Sequence, residues 1–252
     1  MLVSKMKLAR HLAVFTLAAA IAFGADLPTA ESLIQRFVDA SGGASAYAKA
    51  KSVAMEGTVE IEGRNISGTV VIAQAGEKSY TSMDFMGIGK VEEGYDGETG
   101  WQNSALQGPR LLEGEEKAAA RRASNLSLFT AWREDYTAAK TLGSEDIDGR
   151  PAWKVEMTPK EGKPENYFFD RESGMLTGIG ITLSSPLGEI ATQVLLADYR
   201  LTNGIRTPFR MTQQAFGQNI VMEFSKVAYN APIPAGRFDL PPAVKALVAK
   251  RK

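Results

Sequence analysis

The chain has 252 residues, no cysteine, and 29 basic and 29 acidic residues, so its formal net charge is zero. Without cysteine it cannot form disulfides, thiol nucleophiles or Cys/His zinc sites. Its single histidine is His11. If His11 is lost on export, a Ser-His-Asp triad is excluded as well. With no excess of basic residues, the composition also argues against nucleic-acid binding.

Residues 1–24 have the pattern of a secretory signal peptide. Three basic residues and no acid precede the apolar run Leu12–Phe23, which is followed by Gly24 and Ala25. The run is shorter than the roughly 20 residues that span a bilayer as a helix. We predict cleavage after Gly24 or Ala25. The product would be a soluble periplasmic chain with a formal charge near −3, because the three lost charges are all positive. No cysteine is available for a lipid anchor.

Helical patterns occur at the start, in the middle and at the end of the remaining chain. Apolar residues at helical spacing predict a helix over Pro28–Ala40, with Thr29 as its N-cap and a short helix, Ala44–Ala50, after it. Acidic residues lead and arginines follow in Glu113–Phe129, which suits a helix dipole. Its small-residue face could lie against a sheet, or the helix could simply be a charged surface element. The tail Pro241–Lys252 is interpreted as a final helix.

Most of the chain alternates with the period of β-strands. Val53, Met55, Val59 and Ile61 share one face, while glutamates occupy the other. Trp153, Val155 and Met157 repeat this arrangement. The remaining strands are predicted at Ile66–Ala73, Lys78–Phe85, Lys90–Tyr95, Ala138–Ile147, Tyr167–Phe169, Met175–Leu183, Ile190–Tyr199, Ile205–Gln214 and Ile220–Tyr229. Consecutive short strands without crossover helices indicate an antiparallel sheet, which must curl to bury an apolar face.

A D-x-E-[ST]-G sequence occurs twice, at Asp96–Gly100 and Asp170–Gly174. In each, aspartate can accept hydrogen bonds from the backbone two residues on, and glycine takes a positive φ without a Cβ penalty, so both predict hairpin turns. A phosphate-binding loop is the alternative for the glycine-rich stretch Gly94–Glu116. We reject it because no Lys-Ser or Lys-Thr follows and the stretch does not open a helix.

In their order, several segments resemble the LolA-like periplasmic carriers, the outer membrane lipoprotein-sorting proteins. These segments are GYDGETGW, GPRLLEGEE, IDGRPAWKVEMTPKEGKPENYFFDRESGML, SPLGE and DYRLTNGIRTPFR. The resemblance covers essentially all of residues 25–252, which we expect to form one domain. It implies a mainly β fold, an incomplete, half-open antiparallel β-barrel of about eleven strands. Helices Pro28–Ala40 and Glu113–Phe129 would form its lid, over an apolar cavity for acyl chains.

The sequence departs from this family between the second and third strands. Members often carry a basic residue and a proline there, and in the lipoprotein chaperone an arginine at this place latches the lid. Here the chain reads Gln74-Ala75-Gly76-Glu77-Lys78. The departure puts the arginine latch, and true lipoprotein sorting, in doubt.

The candidate ligand-binding residues are apolar side chains of the predicted inner strand face and of the end of the middle helix. They are Val53, Met55, Val59, Ile61, Met83, Phe85, Leu126, Phe129, Trp153, Val155 and Met157. Two interpretations stay open: they line a lipid cavity, or they pack together as a closed core. We expect no catalytic residue, metal or cofactor.

The resemblance implies a monomeric carrier of lipid or lipoprotein acyl chains, with an inner-membrane loading complex and an outer-membrane acceptor as partners. The alternative is a non-enzymatic periplasmic sensor or interaction module of the same fold.

Overall fold

The computed structural model describes residues 26–185 and 188–251, without the side chains of residues 183–185. The predicted signal peptide lies outside the described residues. The helices are α1 (Ala30–Ser41), α2 (Ala44–Lys49), α3 (Gly114–Ser124) and α4 (Pro242–Ala249). The strands are β1 (Ser52–Ile61), β2 (Ile66–Ala75), β3 (Lys78–Phe85), β4 (Gly89–Tyr95), β5 (Gly100–Ser104), β6 (Gly108–Leu112), β7 (Tyr136–Ile147), β8 (Arg150–Pro159), β9 (Glu165–Asp170), β10 (Leu176–Ser185), β11 (Gly188–Thr202), β12 (Ile205–Ala215) and β13 (Gln218–Tyr229).

All these strands form one open antiparallel sheet, in the order β6-β5-β4-β3-β2-β1-β13-β12-β11-β10-β9-β8-β7. The predicted mainly β, half-open barrel is confirmed, but it has 13 strands rather than about eleven. The two additional strands are β5 and β6, of which β6 contains Pro109. Proline lacks an N–H to donate, so sequence patterns treat it as a strand breaker. At the edge of this sheet it pairs with Asn103 on one side only and is tolerated.

One face of the sheet, here called the inner face, carries the apolar residues that alternation predicts. Val59 pairs with Met222, Met222 with Met211, and Met211 with Leu196, so one apolar row crosses four strands. The neighbouring Glu60 is exposed on the outer face. The predicted alternation is therefore confirmed, and it places the apolar residues of both halves of the chain on the same side.

Helix α1 lies on the inner face and begins as predicted. The Thr29 side chain accepts a hydrogen bond from Ser32 N at 3.2 Å, which caps the helix. Gly42 ends it with φ +144°, and a Cβ there would meet Gly204 O at 2.3 Å. Since this approach leaves no room for a side chain, the glycine allows α1 to contact the β11–β12 turn.

Helix α3 is shorter than the predicted Glu113–Phe129. It ends at Ser124 because Asn125 takes over the local hydrogen bonding. The Asn125 amide oxygen accepts from Ser127 N at 2.9 Å, and its amide nitrogen donates to Asp135 Oδ2 at 3.1 Å. Residues 125–131 therefore form an irregular loop, called here the lid loop, that continues into a 3₁₀ turn at Trp132–Glu134.

Both D-x-E-[ST]-G sequences form the predicted hairpin turns. Asp96 Oδ1 accepts from the backbone N–H groups of Glu98 and Thr99, at 2.9 and 2.6 Å. Asp170 Oδ1 accepts from Glu172 and Ser173 in the same way, at 3.1 and 2.7 Å.

The outer face is apolar in part, which alternation on β1 does not predict. Tyr80 and Trp101 point outward and are covered by the C-terminal segment, where Val244 of α4 is fully buried against them. The predicted C-terminal helix is thus present and attaches to the side of the sheet away from α1. Among the described residues, no helix is long and apolar enough to cross a bilayer.

Candidate ligand-binding face

The inner face consists of two apolar clusters. The first lies under α1 and the lid loop, on strands β7 to β12. Leu33, Ile34 and Phe37 of α1 fill it from above, and Phe129 of the lid loop meets Phe37 edge-on with a centroid distance of 4.9 Å. Both rings also contact Phe169 of β9, Phe129 edge-on and Phe37 at a tilt. This half of the inner face is a filled core.

The second cluster, called here the β1–β3 cluster, lies on strands β1, β2, β3, β12 and β13. Its buried members are Val53, Met55, Val59, Val70, Phe85, Phe209, Met222 and Phe224. Around them are ten apolar side chains that are only partly buried, and among the described residues Leu126 alone comes from outside the sheet and its hairpins. Helix α3 crosses β3 to β5 on the inner face, but none of its side chains belongs to the β1–β3 cluster.

The structure divides the eleven candidate residues between the two clusters. The β1–β3 cluster contains Val53, Met55, Val59, Ile61, Met83, Phe85 and Leu126. The cluster under α1 contains Phe129, Trp153, Val155 and Met157. The fully buried Val155 and Met157 lie under α1 and the lid loop, so they belong to packed core. Four candidates of the β1–β3 cluster are buried too. The partly buried Ile61, Met83 and Leu126 are therefore better placed for a ligand.

Sequence reasoning missed the contribution of β12 and β13 to this surface. Phe209, Met211, Met222 and Phe224 all belong to the β1–β3 cluster. The signal was present, because these residues alternate along their strands with exposed charged residues such as Glu223.

A buried polar cluster lies at one end of the inner face, where α3 meets β9. Glu165 accepts hydrogen bonds from Arg122 Nη2 at 2.6 Å, Tyr136 OH at 2.6 Å and Tyr167 OH at 2.7 Å. The two phenol oxygens are 2.7 Å apart. Arg122 also donates to Glu161 O at 2.8 Å. These bonds fix α3 to the β8–β9 end of the sheet.

Burial and charge shift the pKa values of this cluster. Desolvation, followed by the Glu165 carboxylate, raises the pKa of Tyr136, and burial is the main reason why the pKa of Tyr167 lies well above its ordinary value. Burial alone would lower the pKa of Arg122, but the adjacent Glu165 outweighs it and raises that pKa. The cluster thus holds one ion pair and two neutral phenols at neutral pH.

The other side of α3 contacts the end of β2, at the start of the stretch Gln74–Lys78. Gln74 Nε2 donates to Ala123 O, in the last turn of α3, at 2.5 Å. In addition, Arg110 of β6 binds Glu116 of α3 through two hydrogen bonds, at 2.8 and 2.9 Å. Helix α3 therefore connects β6 and β2 with β9 across the open sheet, and at position 74 a neutral amide supplies the contact.

Helix α1 is fastened separately. Arg36 donates to Arg171 O at 3.2 Å and to Glu172 O at 2.5 Å, both in the second D-x-E-[ST]-G turn. A Cβ at Gly174 would meet the Arg36 side chain at 2.9 Å. The turn that links β9 to β10 is therefore shaped to receive this arginine.

A polar cleft of about 470 Å³ lies on the outer face, between Tyr80, Glu92 and the C-terminal segment. Its carboxylate is already occupied, since Glu92 accepts from Tyr80 OH at 2.7 Å and pairs with Lys90 at 3.0 Å. Burial would raise the pKa of Glu92, but these partners outweigh it and lower the pKa. The inner face is therefore the better candidate for a ligand.

Comparison with known proteins finds solved structures of similar fold but no match by sequence. No family model matches the chain. No curated protein matches it either.

Solved structures match at low identity. A LolA superfamily protein from Nitrosomonas europaea is 13% identical with a TM-score of 0.55, covering 85% of this chain and 99% of its own. A putative outer membrane lipoprotein-sorting protein domain from Vibrio parahaemolyticus is 11% identical with a TM-score of 0.54, covering 83% and 96%. A DUF1329 family protein from Desulfovibrio piger is 16% identical with a TM-score of 0.53, covering 83% and 97%. The chain thus has a LolA-like fold, as its sequence motifs indicated.

Proposed function

We propose that this protein is a carrier or binding protein for lipid or lipoprotein acyl chains, which lie against the β1–β3 cluster. The single observation that supports this most is the sparse cover of that cluster: among the described residues only Leu126 packs on it from outside the sheet and its hairpins, whereas α1 fills the other half. When a hydrophobic guest covers a partly exposed apolar surface, the free energy of the system falls.

The size of the effect is sufficient for a stable complex. Burial of each CH₂ group is worth about 0.8 kcal/mol, so a 16-carbon chain would gain on the order of 12 kcal/mol before ordering costs. A ligand held in this way leaves slowly. We therefore infer that release requires an acceptor, and that loading and accepting membrane complexes are the partners.

The location and the absence of catalysis are parts of the same proposal. Removal of residues 1–24 as a signal peptide would place a single domain, residues 25–252, in the periplasm. There it would act as a monomer, without cofactor or catalytic residue. The LolA-like fold and the name of the similar lipoprotein-sorting domain are compatible with this location.

The test is binding of a fluorescent fatty acid to the delipidated protein, together with mass spectrometry of lipid that copurifies with it. Met83→Arg would place a charge on the β1–β3 cluster, where an unpartnered charge is costly, and should weaken probe binding at least tenfold. Asp84→Arg is the matched control, because Asp84 is the next residue of β3 and points to the outer face. The control should bind as the native protein does.

A charge at Met157 would be no test of binding, since Met157 is fully buried in the first cluster and its substitution would report on folding. If the native protein binds no probe and yields no lipid, the carrier proposal is wrong. A closed core with a sensor or interaction role would then be the better explanation.

A further inference from the structure

Three exposed apolar side chains lie at hairpin tips on one end of the sheet. Met86 is in the β3–β4 turn, Leu106 in the β5–β6 turn and Phe216 in the β12–β13 turn, with exposed fractions of 73%, 79% and 72%. In an antiparallel meander alternate turns lie at the same end, and the strand order places these three turns together with the β1–β2 turn. We call this end the apolar rim.

Single exposed apolar residues are common on protein surfaces and need no explanation. The rim differs because the described residues contain only six exposed large apolar side chains, and three of them are at these tips. The position of these three side chains at one end of the sheet therefore requires an explanation.

Phe216 gives an independent observation. Its φ is +53°, in the left-handed region that favours glycine or asparagine. The other non-glycine residues with positive φ in the described part of the chain are all Asn or Asp. A phenylalanine here carries backbone strain and gains no burial in return, and such an outlier points to a functional side chain.

The spacing of the tips indicates the kind of partner. With strands about 4.8 Å apart, the Leu106 and Met86 tips are about 10 Å apart along the sheet, and Met86 and Phe216 about 19 Å. Between the last two lies the polar β1–β2 turn, with Glu62 and Arg64. Separated apolar tips with polar groups between them do not form the continuous patch that a protein partner buries, but they can insert between lipid headgroups.

The β1–β3 cluster extends to this same end. Ile61 pairs with Ile66 and with Ile220 next to the turns, and all three are partly buried members of that cluster. Ile88, beside Met86, belongs to it as well. The inner apolar surface is therefore continuous with the rim.

We propose that the apolar rim docks on a lipid bilayer, with Met86, Leu106 and Phe216 inserted below the headgroups. The inner apolar face then opens toward the membrane, so that a chain can pass between the two without crossing water. Because the residues after position 24 have a small negative formal charge, the attraction comes from apolar insertion and does not require anionic lipid. Docking itself does not depend on the carrier proposal.

The experiment is flotation with phosphatidylcholine vesicles, using protein expressed from the full sequence and purified from the soluble fraction. Each inserted side chain contributes about tenfold to partitioning. The variant Met86→Ser/Leu106→Ser/Phe216→Asn should therefore partition into the vesicles on the order of a thousandfold less. Asparagine suits the backbone at position 216, so this substitution does not compromise folding there.

Leu201→Ser is the matched control. Leu201 is 66% exposed and lies near the end of β11, at the opposite end of the sheet from the rim. Its substitution should leave vesicle binding unchanged, and binding of the native protein should persist at high salt and without anionic lipid.

The proposal is overturned if the native protein does not float with the vesicles, or if the triple variant floats equally well. It is also overturned if Leu201→Ser has the same effect, if binding needs anionic lipid, or if the rim joins two copies of the chain instead. Fatty-acid binding measured on the same variants separates this result from the carrier proposal, since the rim substitutions leave the inner face intact.

Discussion

The backbone at Phe216 makes a stability prediction that is separate from membrane binding. Left-handed φ costs a residue other than Gly, Asn or Asp roughly 1 kcal/mol, and the exposed phenylalanine gains little by packing. Phe216→Asn should therefore raise the free energy of unfolding by about 1 kcal/mol in a urea titration. The reciprocal change is Asn65→Phe in the β1–β2 turn, where φ is +51°, and it should lower that free energy by a similar amount. Equal signs for the two variants would contradict this explanation.

Contacts between near neighbours in sequence could be predicted, and contacts between distant residues could not. The caps and turns made by Thr29, Asp96 and Asp170 each join atoms two or three residues apart, so the residue types alone specify them. The bond from Gln74 to α3 joins positions 49 apart, and Arg122 reaches Glu165 across 43. Only the fold brings these groups together, so the sequence could not show that the Gln74 amide contacts α3.

Strands and helices were predicted well where their own periodicity decides them. The alternation on β1 and β8 was sufficient to place Val59 and Val155 on one face. It failed at β6, because whether Pro109 can be accommodated depends on the position of its strand at the sheet edge. The helix pattern failed at the end of α3, where Asn125 is held by Asp135, ten residues further along the chain. Where the boundary of an element depends on a neighbouring element, the sequence of that element alone does not predict it.

The ion pair between α3 and β9 should be the main support of this helix. Arg122 and Glu165 are both largely buried, and removal of one partner leaves an unpaired charge, at a cost of about 3–5 kcal/mol. Arg122→Met should lower the free energy of unfolding by this amount. The double variant Arg122→Met/Glu165→Gln should recover a large part of it, as measured by a double-mutant cycle in urea.

The control for this cycle is an ion pair of the outer face. Lys226 and Glu56 are 3.4 Å apart with well exposed side chains, so Lys226→Ala should cost less than about 1 kcal/mol. The pH dependence of the free energy of unfolding gives a second check. Because the pKa values of Tyr136 and Tyr167 are raised in the folded state, their contribution is complete below the ordinary tyrosine pKa of about 10 and is lost as the pH rises above it. A cycle in which Arg122→Met costs no more than Lys226→Ala would show that α3 is held by other contacts.

The two faces of the sheet have different roles in the molecule. The inner face carries α1, the lid loop and the partly covered β1–β3 cluster, whereas the outer face of β2 to β6 is covered by the C-terminal segment. This segment seals Tyr80 and Trp101, which would otherwise expose a large aromatic surface to water. Stability on the outer side and binding on the inner side should therefore respond to different substitutions.

Val244 tests this separation. It is the one α4 residue fully buried against Tyr80 and Trp101, and an isolated helix of eight residues has no stability of its own. Val244→Asp places a charge in that apolar contact and should detach α4, lowering the free energy of unfolding by about 2–3 kcal/mol and making residues 230–251 sensitive to protease. The adjacent Lys245→Asp, on the exposed side of the helix, should do neither. Fatty-acid and vesicle binding should stay at the native level in both variants, because Val244 packs on the outer face and is not part of the β1–β3 cluster. If Val244→Asp lost fatty-acid binding while the sheet remained folded, the two faces would be coupled, and the assignment of the ligand to the inner face alone would be wrong.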